Sequence, residues 1–274
     1  MRRFARATGG SLDIAKARRA MSAVGVALFC VACVLVFTGL DAAAATDFTG
    51  FSAPLTGAHD FAVNFPTRPF SGPVTIGPIG LLDDGTNFFV TDDANGRLYK
   101  FPVGGGDATT APNAATGIED MILFNGIYWA TMTYKPEVVT FDPNTLAVGA
   151  TAIPIPCTTL GLSGDPSNGN LLISTTCGIY KIKNPTSAAP SVRLFTRSRD
   201  GFDGNAFSTD GQALWAADDS AQQVLEFNRR GKVIAVIPDS HGPDGIVFAQ
   251  PDTNIGGVDI SNNVFVNNND GTII

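Results

Sequence analysis

Gly80-Leu81-Leu82-Asp83-Asp84-Gly85-Thr86-Asn87-Phe88-Phe89-Val90-Thr91 carries two short apolar strands joined across Asp84-Gly85. Asp-Gly is a dipeptide that accepts the positive φ angles of a tight hairpin turn. The pattern returns in Asp120–Ala130 through Asn125-Gly126, in Gly161–Ser174 through Asn168-Gly169, and in Gly204–Ala216 through Asp210-Gly211. A fifth copy opens with Gly245-Ile246-Val247-Phe248-Ala249. The leading positions Gly80, Asp120, Gly161, Gly204 and Gly245 stand 40, 41, 43 and 41 residues apart. After each of the first four hairpins comes a polar loop and a third strand: Arg97–Phe101, Glu137–Phe141, Gly178–Ile182 and Gln223–Phe227. A more variable fourth strand follows, as in Lys232–Ile237.

Four antiparallel strands per repeat at this period predict an all-β chain: a β-propeller of five recognisable four-stranded blade repeats, the last one incomplete. A sandwich would not hold turn and aromatic in one register through successive copies. In the fifth repeat the second strand comes only at Val264-Phe265-Val266, after an insertion rich in Asp, Asn and Gly. The chain then stops at Gly271-Thr272-Ile273-Ile274, where a third strand begins. Either Phe61-Ala62-Val63-Asn64-Phe65 returns to complete this blade, or the sequence is a fragment lacking a sixth. The abrupt apolar ending favours the fragment, and the propeller has five or six blades accordingly.

The rest of the 274 residues divides as 1–45, an export segment; 46–75, a leader that could complete the last blade; and 76–274, the propeller. A hydrophobic fraction of 44% with 16% charged residues describes a core-forming globular chain rather than a disordered one. No helix-period pattern occurs after residue 45. Residues 1–45 carry a net charge of +4 against −7 overall, which leaves −11 on the remainder. So acidic a domain repels phosphate backbones, and nucleic acid is excluded as an expected partner.

Ala20 to Leu40 is an uncharged apolar run set directly after Arg18-Arg19 and followed by Ala42-Ala43-Ala44-Ala45. The basic flank, apolar stretch and small-residue exit predict export, with cleavage near Ala45. The alternative is retention as a membrane anchor through residues 20–40, a length close to that of a bilayer span. Cys30 and Cys33 lie inside this run as apolar filler. Cys157 and Cys177 belong to the exported domain, where oxidising conditions permit a disulfide. One precedes the inner strand of the third repeat and the other follows its second strand, so both meet on one face.

The innermost strand of each propeller blade lines a central channel. The residues just before the leading positions therefore converge: Ile79, Glu119, Leu160, Asp203 and Asp244. The loops between second and third strands open on the same face and bring Asp92-Asp93 and Asp218-Asp219 to its rim. Hard oxygen ligands gathered at a channel suit calcium or magnesium. The competing reading makes Asp203-Gly204 and Asp244-Gly245 turn residues that bond their own backbone. His241, three residues before Asp244, titrates near neutrality and is a candidate general base, against a plain solvated loop histidine. No Ser-His-Asp order, phosphate loop or Cys/His metal spacing is present.

Gly77-Pro78-Ile79-Gly80, Phe202-Asp203-Gly204-Asn205 and Gly242-Pro243-Asp244-Gly245-Ile246 resemble the gluconolactonase, senescence-marker and luciferin-regenerating propellers. They are also similar to virginiamycin B lyase and NHL-repeat propellers. The resemblance covers residues 76–274 and implies a divalent cation, calcium, in the channel. Its ligands would be Asp244 in the Pro-Asp-Gly motif, Asp203 in place of the family's Asn, and Glu119. The family's first-blade Glu is replaced by Ile79, so Glu119 enters one repeat later.

The activity so implied is metal-dependent hydrolysis of a small ring ester, with Asp203, Asp244 or His241 as base. A non-catalytic propeller that binds a ligand or protein on its rim face is the alternative, or a surface scaffold if the anchor is kept. Composition does not address oligomeric state. Mass spectrometry of the exported protein is expected to find an N-terminus at or beside Thr46. Intact Met1 in a soluble cytoplasmic pool would contradict export.

Overall fold

The computed structural model describes residues 61–71, 74–255, 258–268 and 273–274. The export segment, Cys30, Cys33, His59 and the cleavage position near Ala45 lie outside the described residues. Among the described residues no helix is long and apolar enough to cross a membrane.

The described residues are all-β apart from one 3-10 turn, Asp219–Ala221. Four sheets of four strands form in chain order. The first runs Pro78–Asp83, Asn87–Asp92, Arg97–Pro102 and Asn113–Ala115. The second is Ile118–Phe124, Ile127–Met132, Glu137–Phe141 and Val148–Pro154, and the third is Thr159–Gly164, Leu171–Thr175, Gly178–Lys183 and Ser191–Arg197. Asn205–Phe207, Ala213–Asp218, Gln223–Asn228 and Val233–Pro238 make the fourth. A fifth sheet pairs Pro243–Phe248 with Val264–Asn268, and Ile273 bridges to Asn267 on its outer side.

The turns behave as their dipeptides dictate. Asn125 and Gly126 both adopt positive φ, at 52° and 73°, as the two-residue connection between Phe124 and Ile127 requires. The core sits between sheets rather than within one. Leu82, Phe89 and Leu98 of the first sheet pack on Ile118, Met121 and Phe141 of the second. Trp129, Val138 and Ile153 of the second meet Leu171, Ile173 and Ile182 of the third. Leu172 and Ile179 then meet Leu214 and Phe227, and Val224 meets Ile246 and Val266. Sheets two, three and four are thus wedges whose two faces are covered by their sequence neighbours, which is the packing logic of a propeller.

Successive inner strands approach so closely that a side chain cannot fit between them. A Cβ on Gly80 would stand 2.6 Å from the carbonyl oxygen of Glu119; on Gly161, 2.7 Å from that of Asp203; on Gly204, 2.7 Å from that of Asp244. Two of these contacts are also hydrogen-bonded: Gly161 N–H donates to Asp203 O (3.1 Å) and Gly204 N–H to Asp244 O (2.6 Å). Hydroxyls of the second strands add to the stitching, as Thr91 Oγ1 donates to Glu119 O (3.0 Å) and Thr131 Oγ1 to Leu160 O (2.6 Å).

The stretch from Phe61 does not complete the last sheet, as one expectation had it. Ala62–Val63 pairs in parallel with Gly106–Asp107 of the first repeat. Phe61 and Phe65 pack there on Phe88, Tyr99 and Phe101, aromatic surface that only the first repeat offers. The Cys157–Cys177 disulfide forms as predicted, with Cα atoms 6.1 Å apart. It closes a loop of 20 residues, worth about 3 kcal/mol by chain-entropy arguments.

Gly204→Ala is expected to destabilise the fold by about 1–3 kcal/mol, because the new methyl meets the backbone of Asp244, Gly245 and Ile246. Gly104→Ala, with open space around it, should be near neutral. Urea denaturation of the two variants makes the comparison, and equal midpoints would remove the close-approach account.

Candidate functional site

The inner strands enclose a cavity of about 650 Å³. It runs from the lead-in ends, where Glu119, Asp120, Asp203 and Asp244 stand, along the strands toward Phe124, Phe207 and Phe248 near the hairpin ends. The wall is mostly apolar, and it holds no Lys, Arg or His among the described residues. Leu123 (37% exposed) and Val247 (54%) are part of it, two large apolar side chains left open to solvent.

The structure therefore brings Glu119, Asp203 and Asp244 into one cavity, together with Ile79 and Leu160 from the remaining lead-in positions. Four of them share one backbone role: Glu119, Leu160, Asp203 and Asp244 give their carbonyls to Thr91, Thr131, Gly161 and Gly204 of the preceding blade, which sets them at the channel. Asp120 shares the cavity but is committed to the backbone. Its Oδ1 accepts from Met121 N–H (2.8 Å) and its Oδ2 from Leu162 N–H (2.9 Å) of the next repeat. It substitutes a side-chain bridge for the close contact that glycine makes elsewhere. The carboxylates of Asp203 and Asp244 have no such bonds. Asp244 is only 5% exposed, yet no protein donor among the described residues reaches its carboxyl oxygens.

Electrostatics follow from that geometry. Burial pushes Glu119 up to about 7, with the charges of Asp93 and Asp120 adding and the nearby Thr133 hydroxyl opposing. Burial likewise raises Asp120 to about 6 against its two backbone bonds. Asp203 and Asp244 titrate as a pair, both held well above the usual carboxylate range. For Asp244 burial is the larger cause, then the charges of Asp203, Asp219, Glu119 and Asp120. For Asp203 burial leads, followed by Asp219, Asp218 and Glu119. Protein surrounds these groups on most sides while the cavity still admits water.

Beside this tier, Arg68 Nη2 pairs with Asp93 Oδ2 at 3.0 Å, and Asp92 is fully buried with Oδ2 lacking a partner. Burial, with Asp93 adding, lifts Asp92 to about 6, although Ala94 N–H donates to it. Neither Arg68 nor the bridging role of Asp120 was legible in the sequence. Arg68 lies outside the repeat, and Asp120 reads as one more carboxylate until its bond to Leu162 is seen.

His241 stands apart from the other candidates. Its side chain is exposed, its N–H donates to Asp239 Oδ1 (3.0 Å), and it is not part of the cavity wall. The turn through Gly242, at φ 75°, carries the chain inward only afterwards, at Pro243-Asp244. The ligand set also differs from its expectation. Among the described residues no three His, Cys, Asp or Glu side chains are grouped closely enough to hold one metal ion. Glu119, Asp203 and Asp244 feel one another's charge across the cavity without meeting at a point, so as placed they do not fit a resident divalent cation.

No family model matches the chain, and no curated protein does. Solved structures do. A streptogramin B lyase is 17% identical, with a TM-score of 0.51 over 77% of this chain and 72% of that one. Virginiamycin B lyase from Staphylococcus aureus is 14% identical, with a TM-score of 0.50 over 72% and 69%. A gluconolactonase from Xanthomonas campestris is 17% identical, with a TM-score of 0.53 over 70% and 69%. At such identities the likeness is one of fold, and the fold is the β-propeller shared by gluconolactonase and the streptogramin lyases.

Proposed function

We propose that the channel is a small-molecule site in which Asp203 and Asp244 open a ring ester by acid–base catalysis. The observation that carries this reading is the pair itself. Two carboxylates from successive blades, without protein donors among the described residues, line one cavity, and burial with neighbouring carboxylate charge raises both well above the usual range, which favours one ionised and one protonated member. The ionised member takes a proton from water as the water oxygen bonds to the acyl carbon. The protonated member gives its proton to the ring oxygen as the acyl–oxygen bond breaks. Water is the only co-reactant, and the product is a hydroxy acid. The apolar wall would seat the body of the substrate, and fold likeness to a gluconolactonase agrees with the reaction class.

A divalent cation such as calcium would have to draw Glu119 toward the aspartate pair, and no step here is routed through one. Export through residues 1–45 belongs to the same proposal, and the Cys157–Cys177 disulfide suits an oxidising compartment. A purely ligand-binding propeller is the second reading, favoured by the apolar lead-in residues Ile79 and Leu160.

Hydrolysis of a panel of lactones, followed by acid release, is the direct test. Asp244→Asn and Asp203→Asn should each lower kcat/KM by about 100-fold or more, with activity surviving a chelator. Wild-type protein that accelerates no lactone leaves the binding reading. Activity lost to chelation and restored by calcium would reinstate the metal.

Stability should also report the buried acids. Glu119, Asp120 and Asp92 have folded pKa values above their unfolded ones, so the folded state binds the extra protons. Their contribution is fully present below about pH 4 and is lost as pH rises through about 6 to 7. Chelator-treated protein is therefore expected to have a higher Tm at about pH 5 than at about pH 8, with Glu119→Gln narrowing the gap. A Tm that rises across that range would mean these carboxylates are not buried as described.

A further inference from the structure

We infer that the ligand of this channel carries a protonated amine on an apolar body, and that Glu119 and Asp244 bind its ammonium group. The inference deepens the proposed function by naming a substrate class. It rests on the channel being a small-molecule site and not on the ring-opening chemistry.

The cavity has two unlike ends. At one, Glu119, Asp203 and Asp244 face a shared space with no Lys, Arg or His among the described wall residues to balance them. Asp244 is 95% removed from solvent and has no protein donor among the described residues on its carboxyl oxygens, so what partners it has must come from within the cavity it lines. At the other end Leu123, Phe207, Val247 and Phe248 present apolar surface, much of it exposed. The spread of the carboxylates decides what can satisfy them. A bare metal ion needs several oxygens at about 2.0–2.6 Å from one point, and no three acidic side chains provide that. An ammonium group offers donors pointing outward in several directions, each bonding at about 2.7–2.9 Å, and so can serve carboxylates set apart around it. Its hydrocarbon body would then lie along the strands over Leu123 and Val247. An ammonium group holds these carboxyls ionised and pairs with them, an alcohol offers one donor where the ammonium offers three, and an anion can be admitted only with the carboxyls kept protonated.

Calorimetric titration of the full exported protein with cyclohexylammonium, cyclohexanol and cyclohexanecarboxylate separates these cases, since the three share one body and differ in charge. The ammonium is expected to bind about tenfold or more tighter than the alcohol, and the carboxylate to show no saturation. Glu119→Gln and Asp244→Asn should each bring ammonium and alcohol close to equal affinity. Both substitutions remove buried charge, so folding is not put at risk. Asp210→Asn, at an exposed turn, should leave the preference intact. Equal binding of the three probes overturns the inference, as does calcium chloride alone raising the Tm of wild type but not of Asp244→Asn. Lactone turnover does not enter this readout. A preference for the ammonium in protein that hydrolyses nothing supports the inference while removing the reaction.

Discussion

Everything in this molecule turns on the distance between one inner strand and the next. Gly80, Gly161 and Gly204 lie against the carbonyls of Glu119, Asp203 and Asp244, with no room for a methyl group. That contact fixes the angle between successive sheets, and the angle decides how the apolar faces mesh. It also fixes where the lead-in residues point. A residue that gives its carbonyl to the blade behind must turn its side chain away from that blade, and the channel is the space left. Fold and site are thus consequences of one steric constraint, repeated about every forty residues.

The second blade shows how strong the constraint is, because it breaks the pattern and still satisfies it. Asp120 stands where the other repeats place glycine, and its carboxylate spans to Leu162 N–H while also holding Met121 N–H. The backbone donor of the next inner strand is met by a side chain rather than by close approach. This places one more carboxylate in the wall, but a committed one. Its burial raises its pKa to about 6, and its two bonds work against a larger rise. Asp203 and Asp244 are raised by burial first and then by the charges of neighbouring carboxylates, with no hydrogen bond opposing the rise.

How much of this could be read beforehand depends on whether the signal was local. Asp84-Gly85, Asn125-Gly126, Asn168-Gly169 and Asp210-Gly211 each state a turn, and their spacing states a repeat, so four of the sheets were legible from the sequence. Position in the repeat also placed Glu119, Asp203 and Asp244 at the channel, since a propeller sends equivalent positions to equivalent places. The arrangement within the channel was not legible. Whether three carboxylates meet at a point depends on strand tilt and rotamer, which no spacing encodes. For His241 the sequence left a general base and a solvated loop histidine both open, and the turn at Gly242 sets it outside the cavity wall. The destination of Phe61–Phe65 was hidden for a related reason. Its partners are Phe88, Tyr99 and Phe101, aromatic residues whose facing surface exists only once the first sheet has formed.

A channel that holds acidic groups at one end and open apolar side chains at the other is expensive to maintain on both counts. Carboxylates without donors lose hydration, and Leu123 and Val247 stay 37% and 54% exposed in the cavity wall. A purely structural channel would close this gap cheaply, since filling the lead-in positions with residues like Ile79 and Leu160 removes the charge without touching the glycine contacts. Two of the five lead-in positions have such residues and three do not. The acidic three are distributed over blades two, four and five, so a single loop cannot account for them. Three separate segments of the chain thus bring acidic side chains to one volume, and the glycine contacts alone do not require it.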